Sequence, residues 1–123
     1  MEPLYIKASE DTPEIILDPS KNIFKISQIS VPEDAYEFYK PIIDWLKKFA
    51  ENPTGEVIFE FELEYVNSAS SKQLIQILLI LEEIAKKTSV KIKWYYEEMD
   101  EDMLILGKRF QKLANLDFEF IEL

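Results

Sequence analysis

Cysteine and histidine are both missing from this 123-residue chain. Without cysteine there are no disulfides, thiolate ligands or thiol nucleophiles, a composition that suits a reducing cytoplasm. Without histidine the chain also lacks the commonest general base near neutral pH and the commonest zinc ligand. Glycine is scarce too: Gly55 and Gly107 are the only two, so there is no glycine-rich loop to cradle a phosphate. No Ser/Gly linker, low-complexity tract or internal repeat interrupts the sequence. The richest apolar run, Leu74 to Leu81, is broken by Gln76 and is far too short to span a bilayer, while Met1 to Lys7 has no apolar signal core. Basic residues are outnumbered 14 to 24, for a net charge of −10. That balance disfavours nucleic acid and anionic membrane surfaces and favours protein partners with basic patches.

What is present is ample for folding. Apolar residues make up 47% of the chain, with eight Phe, six Tyr and two Trp, enough for a single domain over residues 1–123 to bury a core without staples. Leu4 to Lys7 reads as a short strand or arm. Glu14 to Asp18 and Ile23 to Ile26 read as a hairpin across the turn-forming Pro19-Ser20-Lys21-Asn22. Ser30-Val31-Pro32-Glu33 opens a helix whose apolar side is Ala35, Phe38, Ile42, Trp45 (or Leu46) and Phe49, with a kink expected at Pro41. In Val57 to Val66, Phe59, Phe61, Leu63 and Tyr65 alternate with Glu60, Glu62 and Glu64, the period of a strand with one packed and one wet face. A helix from Ser68 to Lys87, a strand at Val90 to Tyr96, a helix at Glu101 to Leu113 and a strand at Asp117 to Ile121 complete the order. The fold class is α/β, a mixed β-sheet with helices packed mainly on one face.

The chemistry concentrates where the central strand hands over to its helix, in Asn67-Ser68-Ala69-Ser70-Ser71-Lys72. Ser and Asn suit a helix N-terminus as caps, each worth about 1 kcal/mol. A helix N-terminus also tolerates a phosphate, so a hydroxyl there can equally serve as a switch. On the helix itself, Leu74, Ile77, Leu78, Leu81, Ile84 and Ala85 form a core-facing stripe. Ile75 and Leu79 fall outside it, and with Ser68 as the first helical residue they share an arc of about 60° with Ser68 and Lys72. Two outcomes follow for that strip. Exposed, it is a partner-binding surface of Asn67, Ser68, Lys72, Ile75 and Leu79; covered by a second element such as the N-terminal arm, it is ordinary packing.

Other features carry less. Glu97, Glu98, Asp100, Glu101 and Asp102 lack the spacing and central glycine of a calcium loop and read as a solvated turn before a helix. Glu60, Glu62 and Glu64 form an acidic face suited to steering. Trp94-Tyr95-Tyr96 gives one ring to the core and leaves another near the surface. With no nucleophile elbow, kinase motif or convergent acids, neither a metal nor a cofactor is expected, and the chain reads as a binding protein rather than an enzyme.

A strand followed by Asn-Ser-(small)-Ser and an apolar helix resembles STAS domains of the anti-sigma-factor-antagonist type. More closely, the chain resembles SiaC-family regulatory phosphoproteins. The landmarks are Thr12-Pro13 with Ile15, Pro32-Glu33 with Tyr36, Ile43-Asp44-Trp45, Leu63, Tyr65, Asn67-Ser68, Ser70, Lys72, Leu81-Glu82-Glu83, and Trp94 with Tyr96. The resemblance implies a cytoplasmic partner-switching component. It implies phosphorylation of the junction hydroxyl, here Ser68 with Ser70 and Ser71 as secondary candidates, by a dedicated protein kinase. It further implies removal of the phosphate by a PP2C-type phosphatase and, for the unphosphorylated form, activation of a diguanylate cyclase. Serine stands at 68 where a better-known member carries threonine. The competing expectation is a constitutive protein–protein adaptor that uses the same helix without phosphate control.

Overall fold

The structure is a computed structural model describing residues 1–123. Its elements are β1 (Leu4–Ile6), β2 (Glu14–Asp18), β3 (Ile23–Ser30), α1 (Ala35–Glu51), β4 (Val57–Val66), α2 (Ser68–Ile84), β5 (Val90–Tyr96), α3 (Glu101–Leu113) and β6 (Asp117–Glu122). The six strands form one mixed sheet in chain order, antiparallel from β1 to β3 and parallel from β3 to β6. Parallel neighbours need a crossover, and crossovers are right-handed. With strands laid down in sequence, each crossover puts its helix on the same face, so this α/β fold has the one-sided helix layer expected of it.

That face is built from two rows of apolar side chains running across the strands. Leu4, Leu17, Phe24, Phe59, Ile92 and Phe118 make one; Ile6, Ile15, Ile26, Phe61, Trp94 and Phe120 make the other. From β2 to β5 both rows are fully buried beneath Ile42, Leu46 and Phe49 of α1, Leu74, Ile77, Leu78, Leu81 and Ile84 of α2, and Met103 and Phe110 of α3. Burial of each such side chain is worth about 1.5–3 kcal/mol, so the rows fix the register as well as the fold.

The opposite face is open and ionic. Lys25, Glu60, Lys93 and Glu119 stand side by side with alternating sign. Lys25 pairs with Glu62 at 3.5 Å and Lys91 with Glu119 at 3.1 Å. The Tyr95 hydroxyl donates to Glu60 at 2.7 Å, a bond that pushes its pKa up to about 12. The acidic face expected of β4 is therefore interleaved with cations from β3 and β5, which sequence alternation within one strand does not reveal.

Several boundaries differ from expectation. Asp34 rather than Ser30 caps α1, its carboxylate accepting the Glu37 N–H at 3.0 Å, so Pro32 and Glu33 lie before the helix. The buried stripe of α1 takes Tyr39 in place of Phe38, and Leu46 rather than its alternative Trp45; Phe38 and Trp45 sit half-buried at its margins. Pro41 lies within α1, exposed, and the helix continues through it. Ala85 is the exposed C-cap of α2, which ends at Ile84, so it is no part of the core. Tyr65 is 59% exposed, although alternation assigns it to the packed face. The register explains this: Gln28 pairs with Leu63 and Ile29 with Tyr65, skipping Glu64, while Gln28 has φ 82°. A bulge of this kind redirects the end of a strand.

Helix α3 is seated by the other glycine. A Cβ on Gly107 would stand 2.5 Å from Trp94 Nε1 and 2.6 Å from its Cδ1. That indole N–H donates to the Met103 carbonyl at 3.0 Å, so the ring cannot yield. Alanine in a helix is normally worth about 1 kcal/mol over glycine. Here Gly107→Ala is expected to destabilise by about 1–3 kcal/mol through overpacking, seen as a lower denaturant midpoint.

At the β2–β3 turn, Asp18 is buried and accepts from Ser20 Oγ at 2.6 Å, from the Ser20 and Lys21 N–H groups at 3.1 and 3.3 Å, and from the Tyr5 hydroxyl. The Ser20 hydroxyl first, then Tyr5, hold its carboxyl below the usual carboxylate range against the opposing effect of burial. A depressed folded pKa contributes stability above the unfolded value, near 3.9, and that contribution is lost as pH falls through the folded value. Asp18→Asn is expected to lower stability at neutral pH and to flatten its decline between about pH 5 and pH 2, measured as denaturant midpoint against pH.

Candidate functional site

The parallel strands β3, β4 and β5 end at Ser30, Val66 and Tyr96, and each hands over to a helix at the same edge of the sheet. Two of the connections take four residues, 31–34 and 97–100; between β4 and α2 there is only Asn67. All three helices carry an Asx cap. Asp34, Asn67 and Asp100 accept from the N–H groups of Glu37, Ser70 and Met103 at 3.0, 2.8 and 3.0 Å. The central cap alone is uncharged. Helix α1 has Glu37 in its first turn and α3 has Glu101 and Asp102, whereas α2 has no acid there. The run Glu97 to Asp102 thus serves as the turn and first turn of α3.

A buried hydroxyl cluster anchors the α2 junction. Ser30 Oγ bonds Tyr39 Oη at 2.6 Å and donates to Ser70 Oγ at 2.8 Å, with all three residues at 0% exposure. Burial pushes the Tyr39 hydroxyl up to about 12, with the two serine contacts opposing. The Asn67 N–H donates to the Ser30 carbonyl at 3.1 Å and the Ser71 N–H to the Asn67 carbonyl at 2.9 Å. Strand β3, helix α1 and the first turn of α2 are thereby tied together, and each buried hydrogen bond adds about 1 kcal/mol.

The candidate residues separate by exposure. Ser68 and Lys72 are exposed, Asn67 and Ser71 are half-buried, and Ser70 is fully enclosed. An enzyme acting on Ser70 would first have to open the hydroxyl cluster; Ser68 needs no such opening. Two grooves meet at Ser68. Toward α1 it shares a groove with Glu33, Asp34, Tyr36, Glu37 and Lys72. Toward α3 it shares another with Ser71, Asp102, Ile105 and Arg109.

The apolar part of the strip divides. Ile75 is half-buried and packed against the core, whereas Leu79 is 41% exposed. The N-terminal arm covers neither by the expected route: β1 pairs with β2, and the Glu2 carbonyl accepts from the Trp45 indole of α1 at 2.8 Å. Exposed Tyr36, 66%, and Ile105, 53%, extend the apolar surface to both sides of Ser68. Neither is among the site residues expected from sequence. In sequence Tyr36 is marked by its place among the family landmarks, and Ile105 only by lying off the buried stripe of α3.

A family model described as SiaC family regulatory phosphoprotein matches residues 6–123. An uncharacterized protein of Pseudomonas aeruginosa strain UCBPP-PA14 is 28% identical over 119 residues, covering 96% of this chain and 94% of its own length. The structure of SiaC of Pseudomonas aeruginosa is 26% identical and superposes with a TM-score of 0.89 over 100% of both chains. A further match, at TM-score 0.90 and 26% identity over 98% of this chain and 99% of that one, is to the crystal structure of the diguanylate cyclase SiaD in complex with its activator SiaC from the same organism.

The exposure difference along α2 gives a test. Leu79→Glu is expected to leave the denaturant midpoint within about 0.5 kcal/mol of wild type, as exposed substitutions do. Ile75→Glu is expected to cost about 2 kcal/mol or more because it places a carboxylate at the core margin.

Proposed function

The chain belongs to the SiaC family of regulatory phosphoproteins, and from that membership we propose that it is a non-enzymatic switch whose docking is set by reversible phosphorylation of Ser68. One observation carries the assignment. Ser68 is an exposed hydroxyl at the first position of a helix that has a neutral cap and no first-turn carboxylate. A phosphoserine adds about 1.5–2 negative charges at pH 7. At the N-termini of α1 and α3 that charge would meet the carboxylates of Asp34 and Glu37, or of Asp100, Glu101 and Asp102. At α2 it meets the positive end of the helix dipole, so modification leaves the fold intact and acts on whatever docks.

A partner seated over Asn67, Ser68, Lys72, Leu79 and the margin of Ile75 would lose contact on phosphorylation, because the charge would be desolvated beside apolar anchors. The likeness to an activator of a diguanylate cyclase supports a cyclase as the output partner of the unphosphorylated form. A protein kinase and a PP2C-type phosphatase would set the phosphate level. No helix is long and apolar enough to cross a membrane, and we place this exchange in the cytoplasm.

Intact-mass measurement of protein from native cells is expected to show a fraction heavier by one phosphate that disappears in Ser68→Ala. A phosphate found only on Ser71 would overturn the assignment. In pull-downs, Ser68→Asp is expected to weaken partner capture about tenfold or more, while Leu79→Glu removes it in either state. Capture by Ser68→Asp equal to wild type would identify a constitutive adaptor instead.

A further inference from the structure

Resting on the assignment of Ser68, we propose that Arg109 of α3 is the intramolecular receptor for the phosphate, so that the modified side chain folds into the α2–α3 groove rather than standing free in solvent. Arg109 is the only arginine in the chain. It is exposed, engaged in none of the ion pairs or side-chain hydrogen bonds of the structure, and lines the same groove as Ser68. Helical side chains lean toward the N-terminus of their own helix. Arg109 lies two turns beyond Asp102, so this lean favours a reach back along the groove that both residues share with Ser68.

Charge decides between the two grooves that meet at Ser68. The α1-side groove is lined by Glu33, Asp34 and Glu37, with Lys72 as its single cation. On the α3 side one carboxylate, Asp102, is balanced by Arg109. A phosphate is therefore repelled from the α1 groove and admitted to the α3 groove. A guanidinium is also the better ligand, because its planar fork meets two phosphate oxygens at once, whereas Lys72 offers a point charge. Closure in this direction would lay the phosphate over Ile105, 53% exposed in the unmodified chain, and withdraw that apolar surface from a partner. The free guanidinium of the unmodified form would be withdrawn as well.

Phosphoserine introduced at position 68 during translation tests this without any kinase, by following the second phosphate ionisation in the full chain with phosphorus NMR. That ionisation normally falls near pH 6, and a nearby cation lowers it. Arg109→Gln is expected to raise the midpoint so that it occurs at a proton concentration about two- to fivefold lower, the range of an exposed ion pair. Arg109→Lys should recover part of the shift and Lys72→Gln should leave it nearly unchanged. An unmoved midpoint in Arg109→Gln, or an equal displacement by Lys72→Gln, would overturn the proposal. Whether cells phosphorylate Ser68 is decided separately by the mass measurement, so the two outcomes are independent.

Discussion

The parallel alignment of β3 to β6 in chain order governs the rest of this molecule. Because each crossover has the same hand, all three helices cover one face and all three begin at one edge. Three sets of unpaired helix N–H groups are thereby gathered within a single rim, at the carboxyl ends of the strands where α/β folds place their ligands. The two apolar rows beneath hold that arrangement rigid. The Ser30–Tyr39–Ser70 cluster pins the shortest of the three connections.

Charge then distinguishes the three helix starts. Carboxylates occupy the caps and first turns of α1 and α3, and neither is present at α2. In a chain of net charge −10 this leaves α2 as the one helix start with no carboxylate of its own. The serines at that junction divide the work. Ser70 turns inward and supports the fold, while Ser68 is exposed. On the open sheet face two of the acids, Glu62 and Glu119, pair with lysines from neighbouring strands, and Glu60 accepts from Tyr95.

Much of this was legible in the sequence. Every strand and helix was identifiable from periodicity and turn chemistry, because burial on one face leaves a period of two in strands and near 3.6 in helices. The junction at Asn67-Ser68 was visible as a cluster of small hydroxyl residues between two such periods. The errors were local. Asp34 displaced Ser30 as the cap of α1, Tyr39 displaced Phe38 in its stripe, and a bulge at Gln28 turned Tyr65 outward. The last two depend on partners from other elements, and periodicity within one segment carries no record of that; the cap is a local contact between Asp34 and the Glu37 N–H.

The sequence by itself determined the element order, the apolar faces and the cluster of hydroxyl residues at a helix start, since these follow from local propensity and spacing. Tertiary structure alone decided that Ser70 is sealed by Ser30 and Tyr39, that Ile75 leans into the core while Leu79 does not, and that Arg109 shares a groove with Ser68. Those outcomes depend on which side chains meet across crossovers dozens of residues long. Only packing fixes such meetings.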